Sequence, residues 1–143
     1  MDNKRPSIGD FGKAGLSISE SDKELLAAEW IFSTNKNNDD KENASMSAVD
    51  EALTYATRGN PRICLDIVIK ITEKTDDEEL LGYLGVSVLE ELIAFSADHV
   101  IDRVEAEYYN NCSFKKALEN VFLSEEDKGH DRVKALIGKF TYA

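Results

Sequence analysis

Residues 82–107, GYLGVSVLEELIAFSADHVIDRVEAE, decide the fold that the sequence predicts. Apolar side chains recur in this stretch at steps of three and four, the spacing of one face of an α-helix. These side chains are Leu89, Leu92, Ile93, Val100, Ile101 and Val104. The pattern breaks at Ser96-Ala97-Asp98, which predicts one helix ending near Phe95 and a second beginning at Asp98.

Similar apolar stripes lie on both sides of this stretch. Further helices are predicted at about residues 21–32, 47–58, 75–85, 114–122 and 133–140. The sequence has only two prolines, which also favours helices. The chain is therefore predicted to be all-α, a compact bundle or short solenoid of seven to eight short antiparallel helices.

One segment, RICLDIVIKITEK at residues 62–74, fits two structures. The alternation of Ile63, Leu65 and Ile67 is typical of a strand, and β-branched residues favour strands. Other apolar pairs in the segment follow helical spacing, and the preceding Asn60-Pro61 is typical of a helix start. We favour a helix, because no partner strand is evident elsewhere in the sequence.

Three sequences of the form Ser/Thr-x-x-Glu, beginning at Ser21, Thr75 and Ser87, have the pattern of a capping box. The side chains of a capping box satisfy free backbone N–H groups at a helix start. Acidic residues 76–79 in a first helical turn would also interact favourably with the positive end of the helix dipole. Part of the acidity of this chain is therefore expected to be structural.

Residues 1–18 combine Gly, Ser and Pro with few apolar side chains, which predicts a mobile tail before a single helical domain at residues 19–143. No secretory signal is evident, and no apolar run approaches the roughly 18–20 residues that cross a bilayer. Cys64 and Cys112 are isolated, without the spacing of a metal site. These features predict a cytoplasmic protein.

The net charge of −11 is concentrated in one part of the chain. Residues 76–111 contain ten acidic side chains and a single basic one, Arg103. Such a surface repels nucleic acid phosphates and anionic membranes, and it attracts basic surfaces. We therefore expect a partner protein with a basic surface, and no nucleic acid or membrane partner.

The acidic residues of the central stretch allow three interpretations. They can form a solvated helix face, dock a basic protein or, through Asp98 and Asp102 one turn apart, bind a divalent cation. Two tyrosines follow them, and tyrosines anchor many interfaces through their large apolar area. The predicted partner-binding residues are Glu90, Glu91, Asp98, Asp102, Glu105, Tyr108 and Tyr109.

Motifs for catalysis are not evident in the sequence. It has no glycine-rich phosphate loop, no Gly-x-Ser-x-Gly elbow, no His-Glu-x-x-His and no cysteine cluster. Cys64 and His99 could be paired as nucleophile and base only if the fold brought them together. We expect a binding protein, and no enzyme, metal ion or cofactor.

Three segments carry a family resemblance: SVLEELI at residues 87–93, VIDRVE at residues 100–105 and FKKALENV at residues 114–121. They resemble an uncharacterised family of small helical bacterial proteins whose core signature is close to Gly-Pro-Leu-Glu-Asp-Leu-Leu. Trp30 also falls where this family tends to have a tryptophan. Ser87-Val88 departs from Gly-Pro, so the backbone role of those two family positions does not carry over.

The resemblance implies an all-helical fold and a function in interbacterial competition. Members of this family occur among bacterial defence genes, which suggests immunity proteins that neutralise secreted toxins. The expected function is therefore an immunity protein that binds a basic toxin, such as a nuclease, through its acidic surface. The alternative is a helical adaptor or regulatory subunit of a larger assembly.

Overall fold

The computed structural model describes residues 18–39, 53 and 56–138, and all regular structure in those residues is helical. Within these residues, six α-helices and one π-helical segment follow each other. They are α1 (Glu20–Asp39), α2 (Pro61–Lys74), α3 (Glu78–Leu84), the π segment (Gly85–Leu89), α4 (Glu90–Asn110), α5 (Cys112–Leu118) and α6 (His130–Ile137). Residue 53 and residues 56–59 are also helical. The prediction of an all-α fold is confirmed.

The predicted number of seven to eight helices is not matched among the described residues, and two predicted breaks do not interrupt the helical run Glu78–Asn110. At residues 82–85 the run passes from α3 directly into the π segment. At Ser96 a single residue leaves helical backbone angles, with φ −137° and ψ 26°. The two helices predicted here are therefore the two arms of α4, residues 90–95 and residues 97–110, which meet at a kink.

Helix α1 is longer than predicted. It begins after Ser19, whose hydroxyl accepts a hydrogen bond from the N–H of Asp22 at 3.1 Å, so Ser19 caps it rather than Ser21. It continues to Asp39, through part of the polar run that predicts a loop. Residues 1–17 of the predicted tail and most of the predicted helix at residues 47–58 lie outside the described residues.

Helix α2 resolves the ambiguous segment as a helix. Its buried side chains form one broad face, against which α1, α4 and α5 pack. They are Cys64, Leu65, Ile67, Val68, Ile69, Ile71 and Thr72. The opposite face carries Asp66, Lys70 and Glu73, none of which is buried. A broad buried face includes positions two residues apart, such as Leu65 and Ile67, which also produces an apparent alternation.

The C-terminal arm of α4 lies beside α2 and runs in the same direction. Three contacts join the two segments, and along them the residue numbers of both partners increase together, as they do between parallel segments. They are Ser96 Oγ to the Thr57 carbonyl (2.5 Å), Arg103 to Asp66 (2.7 Å) and Asn111 Nδ2 to Thr72 Oγ1 (2.9 Å). The predicted antiparallel arrangement does not hold for this pair, because the kink at Ser96 redirects the chain.

Close packing between the π segment and the C-terminal end of α5 requires a glycine. A Cβ atom at Gly85 would stand 2.2 Å from the carbonyl oxygen of Ala117. The start of α3 is fixed by Asp77, whose side chain accepts hydrogen bonds from the N–H groups of Glu79 and Leu80. Asp77 is therefore the cap of this helix, in place of the predicted Thr75.

The continuous helical run Glu78–Asn110 contains an 18-residue window with a mean hydropathy of 1.5. By length and composition this window could cross a membrane, contrary to the sequence prediction that no apolar run approaches the required length. More than half of it, 56%, is buried inside the domain. Its hydropathy follows from its position in the core, which is compatible with a soluble protein.

The chain after α5 returns to the C-terminal arm of α4. Gly129 has a left-handed backbone with φ +80°, and a Cβ atom there would lie 2.8 Å from Ile93 Cγ2. This close approach sets the start of α6, where Val133 is fully buried. Basic residues of the segment 128–132 are thereby brought over the acidic face of α4.

Candidate binding surfaces

The five acidic residues predicted as one face are divided by the kink. Glu90 and Glu91 lie on the N-terminal arm of α4, and the other three lie on the C-terminal arm. Glu90 Oε1 accepts a hydrogen bond from the N–H of Phe122 at 2.7 Å. Burial raises the pKa of Glu90, although that hydrogen bond acts in the opposite direction. Glu90 therefore holds the chain after α5 against α4.

The three predicted acids of the C-terminal arm form ion pairs within the chain. Asp98 accepts from Lys128 Nζ at 3.2 Å, and Asp102 accepts from Arg132 at 3.0 Å. Glu105 receives two contacts from the same guanidinium, at 2.8 and 2.9 Å. The hydrogen bonds that Arg132 donates to Glu105 and, to a smaller extent, to Asp102 raise the pKa of its guanidinium. Lys128 and Arg132 thus neutralise part of the negative charge from which the sequence predicts a binding surface for a basic partner.

The predicted tyrosines stand at the far end of the same arm. Tyr108 and Tyr109 meet edge to face with their ring centroids 5.4 Å apart. Lys115 Nζ lies 5.4 Å from the centre of the Tyr108 ring, and Tyr108 is half-buried. The side chain of Tyr109 is 74% exposed. Tyr108 therefore packs partly against the domain, and Tyr109 faces solvent.

Acidic residues of two segments, the start of α3 and the end of α4, lie at this end of the molecule. The hydrogen bond from Asn111 to Thr72 joins the ends of α4 and α2, and Lys116 of α5 lies 3.8 Å from Glu78 of α3. We call this region the acidic end. It comprises Asp76, Asp77, Glu78, Glu79, Glu107, Tyr108 and Tyr109, flanked by Lys115 and Lys116. Residues 76–79 are all exposed, and they are absent from the predicted binding residues because capping accounts for them locally.

The chemistry of the described residues gives no sign of a metal centre. No three His, Cys, Asp or Glu side chains among them are grouped closely enough to hold an ion. Asp98 and Asp102, the predicted pair for a cation, each have a basic partner of their own. Cys64 is fully buried, and burial raises the pKa of its thiol, so it is poorly suited to act as a nucleophile.

The kink at Ser96 forms a second surface that the sequence did not predict. A cavity of about 370 Å³ opens between the start of α2, the kink and Lys128. Arg58, Arg62 and His99 line it, together with the half-exposed ring of Phe95. The three segments are far apart in the sequence, so only the tertiary structure brings these side chains together.

The comparisons with known proteins give one family. A search of the curated proteins gives no match, and neither does a search of the solved structures. The model of DUF6869, a family of unknown function, matches residues 34–140. This range includes α2 to α6 and both surfaces described above. The expectation of an uncharacterised family is confirmed at this level, and the chain belongs to the DUF6869 family of unknown function.

Proposed function

We propose that this protein is a cytoplasmic immunity protein that binds and neutralises a basic toxin, such as a nuclease. The proposed contact surface is the acidic end, with Tyr109 as its anchor. This interpretation keeps Tyr108 and Tyr109 from the sequence prediction and adds the acids of residues 76–79. Glu90, Glu91, Asp98, Asp102 and Glu105 then contribute to the long-range attraction rather than to the central contact.

Two observations at the acidic end carry this proposal, namely the exposure of Tyr109 and the presence of carboxylates without an ion-pair partner. A tyrosine brings large apolar area and a hydroxyl at low entropic cost, and such residues are common at the centres of interfaces. Glu79 and Asp76 have no ion-pair partner among the described residues, in contrast to Asp102 and Glu105. Their field attracts a basic surface and accelerates association at low ionic strength.

Co-expression with the protein encoded by the adjacent gene tests the proposal. We expect direct binding whose affinity falls as salt rises, measured by calorimetry at two ionic strengths. Tyr109→Ala should weaken binding by about tenfold, about 1.4 kcal/mol. Glu79→Lys should slow association, because it reverses a charge that faces the partner. Cells that carry both genes should survive, and cells that carry the partner gene alone should not.

Glu126→Lys is the matched control for Glu79→Lys. It reverses the same charge at an exposed position in the turn before α6, near the kink and distant from the acidic end. The proposal fails if both reversals slow association equally, or if the affinity is indifferent to Tyr109→Ala. Binding without protection of the cells would contradict immunity and support an adaptor.

The adaptor interpretation has an observation of its own. Helix α1 exposes an apolar stripe in which Leu25 and Phe32, two turns apart, are 47% and 64% exposed. A second contact surface on the opposite side of α1 from the core is what a subunit that joins two proteins requires. If the protein is an adaptor, the double substitution Leu25→Glu and Phe32→Glu should abolish assembly of a larger complex. If it is an immunity protein, the same substitutions should leave toxin binding unchanged.

A further inference from the structure

The cavity at the kink of α4 is framed by buried structure. The hydroxyl of Ser96 donates to the Thr57 carbonyl at 2.5 Å in a buried position, which ties the kink to the helical residues 56–59. The chain then turns through Asn60 into α2. These contacts hold the cavity walls in place, and its volume of about 370 Å³ falls in the range of small-molecule sites.

The charges around this cavity are opposite in sign to those of the whole chain. Arg58, Arg62 and Lys128 line it against a single carboxylate, Asp98, which is paired with Lys128 at 3.2 Å. In a protein of net charge −11, this leaves a local excess of two positive charges. An excess of cations at a concave surface attracts anions of small size.

The two guanidinium groups have no carboxylate partner among the described residues. Arg58 lies over the ring of Phe95 at 3.8 Å from its centre, and no ion pair involves Arg62. Other cations that pack between helices are paired, as Lys23 is with Asp66 at 2.7 Å and Arg103 is with the same residue. The arginines are therefore available to a ligand.

Arg62 occupies a position that is electrostatically unfavourable for folding. It lies in the first turn of α2, directly after Pro61, where the helix dipole repels a cation. The first turn has no acidic residue, and the side chain of Asn60 makes no capping hydrogen bond. A cation in this position opposes the stability of α2, and a bound anion would remove that conflict.

We propose that the cavity binds a phosphate monoester. The two positive charges of Arg58 and Arg62 match the charge of such a group, about −1.5 to −2 at neutral pH. Guanidinium groups offer paired donors that suit phosphate oxygens. The cavity is larger than a phosphate ion, and the half-exposed Phe95 ring provides an apolar wall for an organic substituent.

The test is a titration of the full chain with phenyl phosphate, inorganic phosphate and phenol, followed by backbone amide chemical shifts. We expect phenyl phosphate to bind, with shifts concentrated at residues 58–62 and 95–99. Inorganic phosphate should bind more weakly at the same residues, and phenol should not bind. Arg62→Gln should weaken binding of phenyl phosphate at least fivefold without lowering the melting temperature of the free protein.

Lys134→Gln is the matched control. Lys134 is an exposed cation on α6 that has no carboxylate partner among the described residues, and its removal changes the net charge by the same amount. It should leave the affinity for phenyl phosphate unchanged. The proposal is overturned if Lys134→Gln weakens binding as much as Arg62→Gln does. It is equally overturned if no shifts appear at the cavity residues.

Discussion

The two ends of the C-terminal arm of α4 carry opposite charges. At the kink, Arg58, Arg62 and Lys128 surround a cavity in which Asp98 is the only carboxylate among the lining residues. The other end, about 20 Å away at 1.5 Å per residue, carries the acids of residues 76–79 and the exposed Tyr109. Between the two ends, Arg132 covers Asp102 and Glu105. The chain is acidic on average, and it is not acidic everywhere.

Net charge alone therefore does not define a binding surface. Two of the predicted binding residues, Asp102 and Glu105, lie on the part of the arm that the chain itself covers with a cation. Arg58 and Arg62 at one end and Asp76 and Glu79 at the other have no ion-pair partner among the described residues, so they are available to a ligand or a protein. The segment 128–132 therefore determines which carboxylates are offered to a partner.

Gly129→Ala has the largest expected effect on stability, and it should also expose the acids that lie between the two ends of the arm. The new Cβ would lie 2.8 Å from Ile93 and 3.1 Å from Ala97, on a left-handed backbone. Left-handed strain of about 1–2 kcal/mol and overpacking of about 1–3 kcal/mol together predict a loss of about 2–5 kcal/mol. Urea unfolding measures the loss. Hydrogen exchange should also rise in α6, which would release Arg132 from Asp102 and Glu105.

Gly138→Ala separates strain from overpacking in that result. Gly138 is also left-handed, with φ +87°, but nothing lies within 4 Å of its Cβ position. We expect only the backbone strain, about 1–2 kcal/mol at most. Equal losses in the two variants would show that contact with Ile93 does not hold α6 in place.

Ser96→Ala is expected to have the next largest effect on stability, and it tests what holds the kink in place. It removes the buried donor to the Thr57 carbonyl, at a cost of about 1–3 kcal/mol. Ser87→Ala is its control, because Ser87 donates to the Tyr83 carbonyl at 2.6 Å at the surface of the helical run. Thermal unfolding should show a change of at most about 0.5 kcal/mol for that variant. A similar loss in both variants would mean that Ser96 does not tie the kink to residues 56–59.

Much of the fold could be predicted from the sequence, because its signals are local. The break at Ser96 is visible as a change in the phase of the apolar pattern, and the structure has its kink at that residue. Whether such a break ends a helix or bends it depends on tertiary contacts such as that with Thr57, which no local pattern contains. The polar residues after Phe32 contain no proline or glycine that would end a helix, so α1 continues to Asp39.

The candidate site was harder to predict than the fold. Sequence shows which residues are charged, but the partners of Asp98 and Asp102 lie 30 residues later, at Lys128 and Arg132. Pairing over such a separation is decided by how α6 packs, through Gly129. The cavity is composed of three distant segments for the same reason. One local signal of it existed, namely Arg62 in a first helical turn without an acidic residue.

Glu90→Gln has the smallest expected effect and tests whether this predicted binding residue is structural. Burial raises the folded pKa of Glu90 above its unfolded value, so protonation favours the folded state. The stabilising contribution is therefore present below the unfolded pKa and is lost as pH rises through the folded pKa. At neutral pH the charged carboxylate of Glu90 therefore slightly destabilises the folded state. A glutamine at this position keeps an acceptor for the Phe122 N–H and carries no charge.

We expect Glu90→Gln to stabilise the fold at pH 7 by at most about 0.5 kcal/mol, since Glu90 is partly exposed and solvent screens its charge. The gain should disappear below the ordinary pKa of a glutamate side chain, where Glu90 itself is neutral. Glu126→Gln removes the same charge from an exposed side chain and should give no such pH-dependent difference. Thermal unfolding of both variants between acidic and neutral pH measures this difference. Equal changes in stability at every pH would show that the loss of one negative charge, and not the burial of Glu90, is responsible for the gain. In that case Glu90 would again be a candidate for contact with a partner.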